Sequence, residues 1–233
     1  MLLYIIRHAD PIYNPDTLTT KGKLQASALA KRLVTSRIDK IYSSPSGRAI
    51  ETAKYTADLL GKEINIEPWA NEVAGEFSVV MPDGKKVFVP DIENTVYLSD
   101  DMIDLGKNWH SAKIFESIDA KNTYEKICSA SDDFLARHGY KREGSVYKIT
   151  KATNERVAVF CHGGLSAVWL SHLLNIPLHL VLAGIGINHT GVTIVDFENR
   201  ESGITAPYCL CISDVSHLYK EGLPFKFTNY TEL

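Results

Sequence analysis

The first eight residues constrain this chain more than any other stretch. Leu2 to Ile6 is a run of five apolar residues without helical period, and Arg7-His8 closes it. A short apolar run of this kind suits a strand buried on both faces, as in a parallel sheet. In open α/β sheets, ligands bind beyond the carboxyl ends of the strands. The run therefore predicts an imidazole and a guanidinium delivered into a crevice.

Two later stretches repeat the arrangement. Ile38 to Tyr42 reads as a second strand, followed by Ser43-Ser44-Pro45-Ser46-Gly47 and Arg48 at a helix start. Val157 to Cys161 reads as another buried strand, and His162-Gly163-Gly164 follows it. Each is a strand, a basic residue past its carboxyl end, and a helix. A lone Arg-His pair is usually solvated surface, but three such junctions point to one anion site.

These pieces, with Leu18-Thr19-Thr20-Lys21-Gly22-Lys23-Leu24-Gln25-Ala26, resemble the histidine phosphatase superfamily (phosphoglycerate-mutase-like) in its branch 1. They occur in the family's order and span residues 2–174. The resemblance implies an α/β fold: a three-layer α/β/α sandwich around a mostly parallel central sheet. It also implies a phosphohistidine intermediate on His8.

At 233 residues, 45% apolar and 23% charged, the chain has the make-up of a soluble globule and the length of one large α/β domain, 1–233. A formal net charge of −3 provides no footprint for nucleic acid or an anionic membrane. No run approaches the roughly eighteen apolar residues of a membrane span. Arg7 cuts the N-terminal run too short for a signal-peptide core. The four cysteines form no CxxC pair and read as small core residues in a reducing cytoplasm. The expected partner is a small-molecule phosphate ester, and no cofactor is implied.

Between the junctions the pattern is plain in places. Ala9 to Leu18 reads as a loop, and a helix capped by Thr19 or Thr20 follows, with Leu24, Ala28, Leu29 and Leu33 inward. The helix after Ser46 buries Ile50, Ala53, Ala57 and Leu60, and Glu63 to Ile66 is a third strand. Residues 73–120 lose the βα rhythm. Phe77 to Met81 and Lys85 to Val89 flank the hairpin signal Pro82-Asp83-Gly84, and the whole stretch is expected to form a lid over the strand ends. Its aromatics (Phe77, Phe88, Tyr97, Trp109, Phe115) hint at an organic ester. Lys121 to His138 reads as a helix stopped by Gly139. Val192 to Phe197 and Ile204 to Ile212 read as closing strands.

Phosphoryl transfer needs fixed positive charge around an oxygen-rich anion. Arg7 and Arg48 suit it, because the guanidinium fork matches phosphate oxygens and stays charged. The backbone amides at Gly163 and Gly164 open a helix whose dipole favours an anion, and His162 is a further donor when protonated. His8 is the expected nucleophile, kept neutral by these cations, with its other ring nitrogen held by an acceptor. A leaving alkoxide needs a proton. The resemblance assigns that acid to the segment Trp69-Ala70-Asn71-Glu72-Val73, hence Glu72, with Glu76 as the alternative and Asp10 a weaker one. It also points to Asn14 as a phosphate contact, while Pro11 stands where relatives carry a hydroxyl. His189 is either site-lining or packed structure, and His217 is structural. The chain lacks HxH and HExxH spacings, and two guanidiniums would repel a dication. Metal: none.

Three activities fit these residues: a phosphomonoester hydrolase, a phosphoglycerate-type mutase, and a non-catalytic phospho-ligand binder. No cation occurs between Glu72 and Lys85 to hold a second phosphate, which favours hydrolysis. The intact set of Arg7, His8, Arg48 and His162 argues against the binder.

Overall fold

The computed structural model describes residues 1–81 and 83–224, together with the backbone of 226–228 and 231–232. Strand β1 (Leu2–Arg7) runs into a two-stranded hairpin, β2 (Pro11–Tyr13) and β3 (Asp16–Leu18), in place of the loop expected there. Helix α1 (Thr20–Thr35) follows, with the Thr19 hydroxyl accepting from the Gly22 amide. Then come β4 (Lys40–Ser43), α2 (Gly47–Leu60) and β5 (Ile64–Ile66).

Residues 73–120, called the insertion below because they interrupt the βα rhythm, hold a hairpin, β6 (Ser78–Val80) and β7 (Lys86–Phe88), then short 3-10 turns and α3 (Asp100–Leu105). Gly84 turns that hairpin with φ +82°, while Pro82 of the expected signal lies outside the described residues. Helix α4 (Ala120–Arg137) leads to a second hairpin, β8 (Tyr140–Glu143) and β9 (Val146–Ile149). Strand β10 (Arg156–Cys161), α5 (Gly163–Leu174), α6 (Leu178–Gly184) and β11 (Val192–Asp196) complete the inner part. The chain continues with β12 (Ile204–Thr205), β13 (Tyr208–Asp214) and α7 (Ser216–Lys220).

The central sheet has the order β13-β11-β1-β10-β4-β5. β1, β10, β4 and β5 are mutually parallel, and β11 and β13 run against them. Alternation across the pleat divides the interior into two cores. Leu3, Ile5, Val157 and Val159 pack with α4 and α5 through Phe134, Leu165 and Trp169. Tyr4, Ile6, Ala158 and Phe160 face α1 and α2 through Leu29, Leu33, Ala53 and Ala57. The result is the three-layer α/β/α sandwich.

Three sequence expectations need correction. Leu24 points outward at 53% exposed, and its place inside is taken by Gln25, whose amide oxygen accepts from the Asp10 N–H. A polar residue fits there because it satisfies a buried backbone donor. The run Ile204 to Ile212 is divided at Ala206-Pro207, since proline has no N–H for a ladder. Its first part pairs with β9 and its second with β11. Finally, Phe77, Tyr97, Trp109 and Phe115 are fully or almost fully buried. They are the core of the insertion rather than the lining of a pocket, so they carry no information about an ester.

No helix among the described residues is long and apolar enough to cross a membrane.

Candidate active site

β1, β10 and β4 are neighbours in the sheet, so their carboxyl ends lie side by side. This adjacency brings His8, His162 and Arg48 together, although they are far apart in sequence. The two imidazole centroids are 5.2 Å apart, edge to face. His8 and His162 are both buried.

The orientation of His8 follows from one short contact: Nδ1 lies 2.7 Å from the carbonyl oxygen of Ala9. A carbonyl only accepts, so the proton sits on Nδ1 and the Nε2 lone pair faces the cavity. There it accepts from Arg48 Nε at 3.3 Å. Burial, then the charges of Arg7 and Arg48, pull the His8 pKa down to about 3, against the bond to Ala9. The imidazole is therefore neutral across the physiological range. Burial and the neighbouring His8, Arg48 and Arg7 hold His162 still further below its ordinary value.

Arg48 is tethered from outside its own helix. Ser46 stands at the N-cap of α2 but makes no side-chain cap bond. Asp16 on β3 supplies one: its carboxylate accepts from the Gly47 amide at 2.7 Å and from Arg48 Nη1 at 2.9 Å. Gly47 permits this approach, since a Cβ there would lie 2.1 Å from the Asp16 carbonyl oxygen. Burial works against the Asp16 charge, but Arg48 and the helix amides keep its carboxyl below the ordinary range. Tyr13, on the other arm of the hairpin, lays its ring 5.3 Å from the Arg48 guanidinium carbon.

Arg7 is held by the loop before β11, donating from Nη1 to the Ile187 carbonyl at 2.6 Å. The same loop clasps the end of β1, with the Thr190 amide 3.0 Å from the Arg7 carbonyl oxygen. A Cβ on Gly163 would lie 3.3 Å from Arg7 Cζ, so the guanidinium rests on the first turn of α5.

Glu72 meets the same turn. Its carboxylate accepts from the amides of Gly164 at 3.2 Å and Leu165 at 3.0 Å. This corrects one expectation: of the two glycine amides at the α5 start, Gly164 N–H is already occupied by a carboxylate. Burial raises the Glu72 pKa above 4.5, against the amides of Val73, Gly164 and Leu165 and the charge of Arg7. The insertion meets this turn as well, because a Cβ on Gly164 would lie 2.5 Å from Phe88 Cζ and 3.0 Å from Pro90 Cγ.

The remaining sequence candidates lie elsewhere or are otherwise engaged. Asn14 is at the exposed tip of the β2–β3 hairpin and has no hydrogen-bond partner among the described residues. Because the segment folds back as a hairpin, its arms bring Tyr13 and Asp16 to Arg48 and its tip faces solvent. Asp10 is engaged by the Thr19 hydroxyl at 2.7 Å and by His189 at 3.6 Å. Glu76 is exposed in a cleft of about 350 Å³ that Glu72 also lines, together with Lys126 of α4. Cys161, beside His162, is fully buried as expected of a core residue, and burial pushes its thiol up to about 12. His217 is buried, with Nε2 3.0 Å from the Thr190 hydroxyl.

His189, read from the sequence as either site-lining or packed structure, lies beside His8, with ring centroids 5.4 Å apart. Sequence reasoning missed two residues. Asp16 carries no motif signal. Ser44 was inside a recognised segment without a role, and its hydroxyl is 2.7 Å from His162 Nε2. No group of three or more His, Cys, Asp or Glu side chains that could hold a metal ion occurs among the described residues.

A mostly parallel sheet that ends in a cluster of two imidazoles and two guanidiniums is a phosphoglycerate-mutase-like α/β fold. Comparison with known proteins places it further. Residues 3–77 match the model of the histidine phosphatase superfamily (branch 1). The chain is 25% identical over 221 residues to "Putative phosphoserine phosphatase 2" of Hydrogenobacter thermophilus, covering 90% of this chain and 96% of the relative. A shorter match, 32% identical over 80 residues, joins 30% of the chain to 37% of "Probable phosphoglycerate mutase GpmB" of an Enterobacter species. Among solved structures, the phosphoserine phosphatase of Entamoeba histolytica in complex with 3-phosphoglyceric acid superposes with a TM-score of 0.62. That similarity is at 20% identity and covers 93% of this chain and 98% of the other. The similarity to the histidine phosphatase superfamily (branch 1) is thus carried by residues 3–77, and the solved structure shares the fold over most of the chain.

Proposed function

We propose that this chain hydrolyses small organic phosphate monoesters through a phosphohistidine on His8. The observation that carries the reading is the geometry of that ring: Nδ1 is committed to the Ala9 carbonyl, and Nε2 is unprotonated and turned into the cluster of cations. In the first step Nε2 attacks phosphorus, the bond to the ester oxygen breaks, and Glu72 donates a proton to the leaving alkoxide. In the second step water attacks the phosphoryl group, Glu72 takes its proton, and the N–P bond breaks.

Arg48 and Arg7 neutralise the phosphoryl oxygens in this scheme. Arg48 gives up its bonds to the imidazoles for the anion. Arg7 Nε has no hydrogen-bond partner among the described residues, which leaves that N–H for an oxygen. The organic part lies in the cleft beside Glu72, where Lys126 suits a carboxylate on the leaving group. Two relatives are named as phosphoserine phosphatases, so phosphorylated hydroxy acids and amino acids are the first esters to assay. A mutase is not favoured, because residues 73–84 contain no cation for a second phosphate. All four cysteines are unpaired, and a reducing cytoplasm is the compartment proposed. Residues 1–233 act as one domain, with 73–120 as its lid.

The test is phosphate release from p-nitrophenyl phosphate and a panel of phosphorylated metabolites, alongside acid quenching of a ³²P-labelled ester. Wild type should release phosphate and carry acid-labile label, and His8→Ala should do neither. Turnover by His8→Ala at the wild-type rate would end the proposal.

A further inference from the structure

The His162 ring is held from both sides, by a guanidinium that only donates and by a hydroxyl whose other bonds leave it able to accept. Arg48 Nη2 lies 3.2 Å from Nδ1, and a guanidinium can only donate. Nδ1 therefore holds a lone pair, and the ring proton is on Nε2. Ser44 Oγ, 2.7 Å from Nε2, is then the acceptor for that proton. This hydroxyl accepts from the Ser46 amide at 3.2 Å and donates to Asn71 Oδ1 at 3.3 Å. Asn71 Oδ1 also accepts from the Ser46 hydroxyl at 2.8 Å. With its only proton given to Asn71, Ser44 has a lone pair left for His162.

We propose that Ser44 and Asn71 are positioning residues that hold His162 as the Nε2–H tautomer, so that its Nδ1 is the proton acceptor in the phosphate cavity. The proposal rests on the phosphoryl-transfer reading above and assigns the proton step that precedes it. When a phosphate monoanion displaces Arg48 Nη2, the P–O–H proton passes to Nδ1. One O–H bond breaks and one N–H bond forms; the ester becomes a dianion and His162 an imidazolium. The new Nδ1–H donates to the oxygen it came from, while Nε2–H continues to donate to Ser44. A buried imidazolium needs both N–H groups satisfied, and Ser44 supplies the partner on the far side. Asn71 immediately precedes Glu72, so the same contacts anchor the loop that carries the proposed acid.

Nitrogen-15 NMR of histidine-labelled protein reads the tautomer without turnover, with inorganic phosphate as the probe. Free wild type should show His162 protonated at Nε2 alone, and phosphate should bring a second proton to Nδ1. Ser44→Ala and Asn71→Ala should each weaken the Nε2–H preference, leaving Arg48 alone to favour it, and reduce kcat by about 10- to 100-fold, the range found when the partner behind a metal-ligating imidazole is removed. Ser44→Thr should restore most of it. Asn71→Asp places a negative charge behind the chain, so the pH at which kcat/KM falls should move upward. Asn71 is exposed, so its variants decide the matter even if Ser44→Ala does not fold. A free His162 protonated at Nδ1, or wild-type kcat and pH profile in both alanine variants, overturns the proposal. Absence of label on His8 would instead count against the phosphatase reading and leave the tautomer result to stand.

Discussion

Arg48 spans the two imidazoles, with Nε 3.3 Å from His8 Nε2 and Nη2 3.2 Å from His162 Nδ1. A single guanidinium thus lies across the nucleophilic atom and its neighbour, while Asp16 holds its third nitrogen. In the proposed reaction it both keeps His8 neutral and receives the phosphoryl oxygens. Arg48→Met removes the charge and the fork together. The expected loss in kcat/KM is about 10²- to 10³-fold, as for deletion of one transition-state donor. The His8 pKa should rise from about 3, because a nearby cation no longer opposes imidazolium formation. An NMR titration of His8 checks it, and an unmoved titration would show that Arg48 does not control the ring.

Glu72→Gln keeps the shape and removes the proton. For an alkyl ester, whose alkoxide needs protonation, kcat should fall by about 10²- to 10⁴-fold. For p-nitrophenyl phosphate the loss should be far smaller, since nitrophenolate leaves unassisted. Because burial raises the Glu72 pKa above 4.5, the acid form persists to higher pH than in an exposed glutamate. Alkyl-ester turnover should therefore decline as pH rises through that raised value, and the Gln variant should lack this alkaline limb. Equal losses for both esters would remove Glu72 from the role of acid.

Gly164 is where the insertion, Glu72 and α5 converge. A methyl group there would meet Phe88 Cζ at 2.5 Å, Glu72 Oε1 at 2.9 Å and Pro90 Cγ at 3.0 Å. Gly164→Ala should cost about 1–3 kcal/mol of stability, the usual penalty for overpacking, and reduce alkyl-ester turnover by displacing Glu72. Urea unfolding and the ratio of alkyl to nitrophenyl rates measure the two effects separately.

Lys126 forms no ion pair among the described residues and lines the cleft that Glu72 borders. Lys126→Ala should lower the preference for carboxylate-bearing esters over neutral ones by about fivefold, the scale of one exposed charge pair. Competition between O-phosphoserine and p-nitrophenyl phosphate reads that ratio. An unchanged ratio would place the leaving group elsewhere.

The strand-to-helix junctions were legible because their signals are local. Five apolar residues before Arg7, and five before His162, specify a buried strand and the residue that emerges from it. Thr19 before α1 and Gly139 after α4 mark helix limits by equally short-range chemistry. The β2–β3 hairpin was read as a loop because its strands are three residues long and too short to show alternation. Leu24 was misplaced for a related reason: periodicity identifies a helix more securely than it identifies the inward face, and a buried amide needed Gln25.

By itself, then, the chain determined which side chains stand at the carboxyl ends of which strands, since strand formation depends on neighbours in sequence. Only the tertiary structure decided what those side chains touch. Ser44 meets His162 across 118 positions and Glu72 meets Gly164 across 92, while Asp16 reaches α2 from a separate hairpin. Hydrogen bonds and charge pairs of this kind depend on distance in space, which the sheet order β1-β10-β4 sets and no linear pattern encodes.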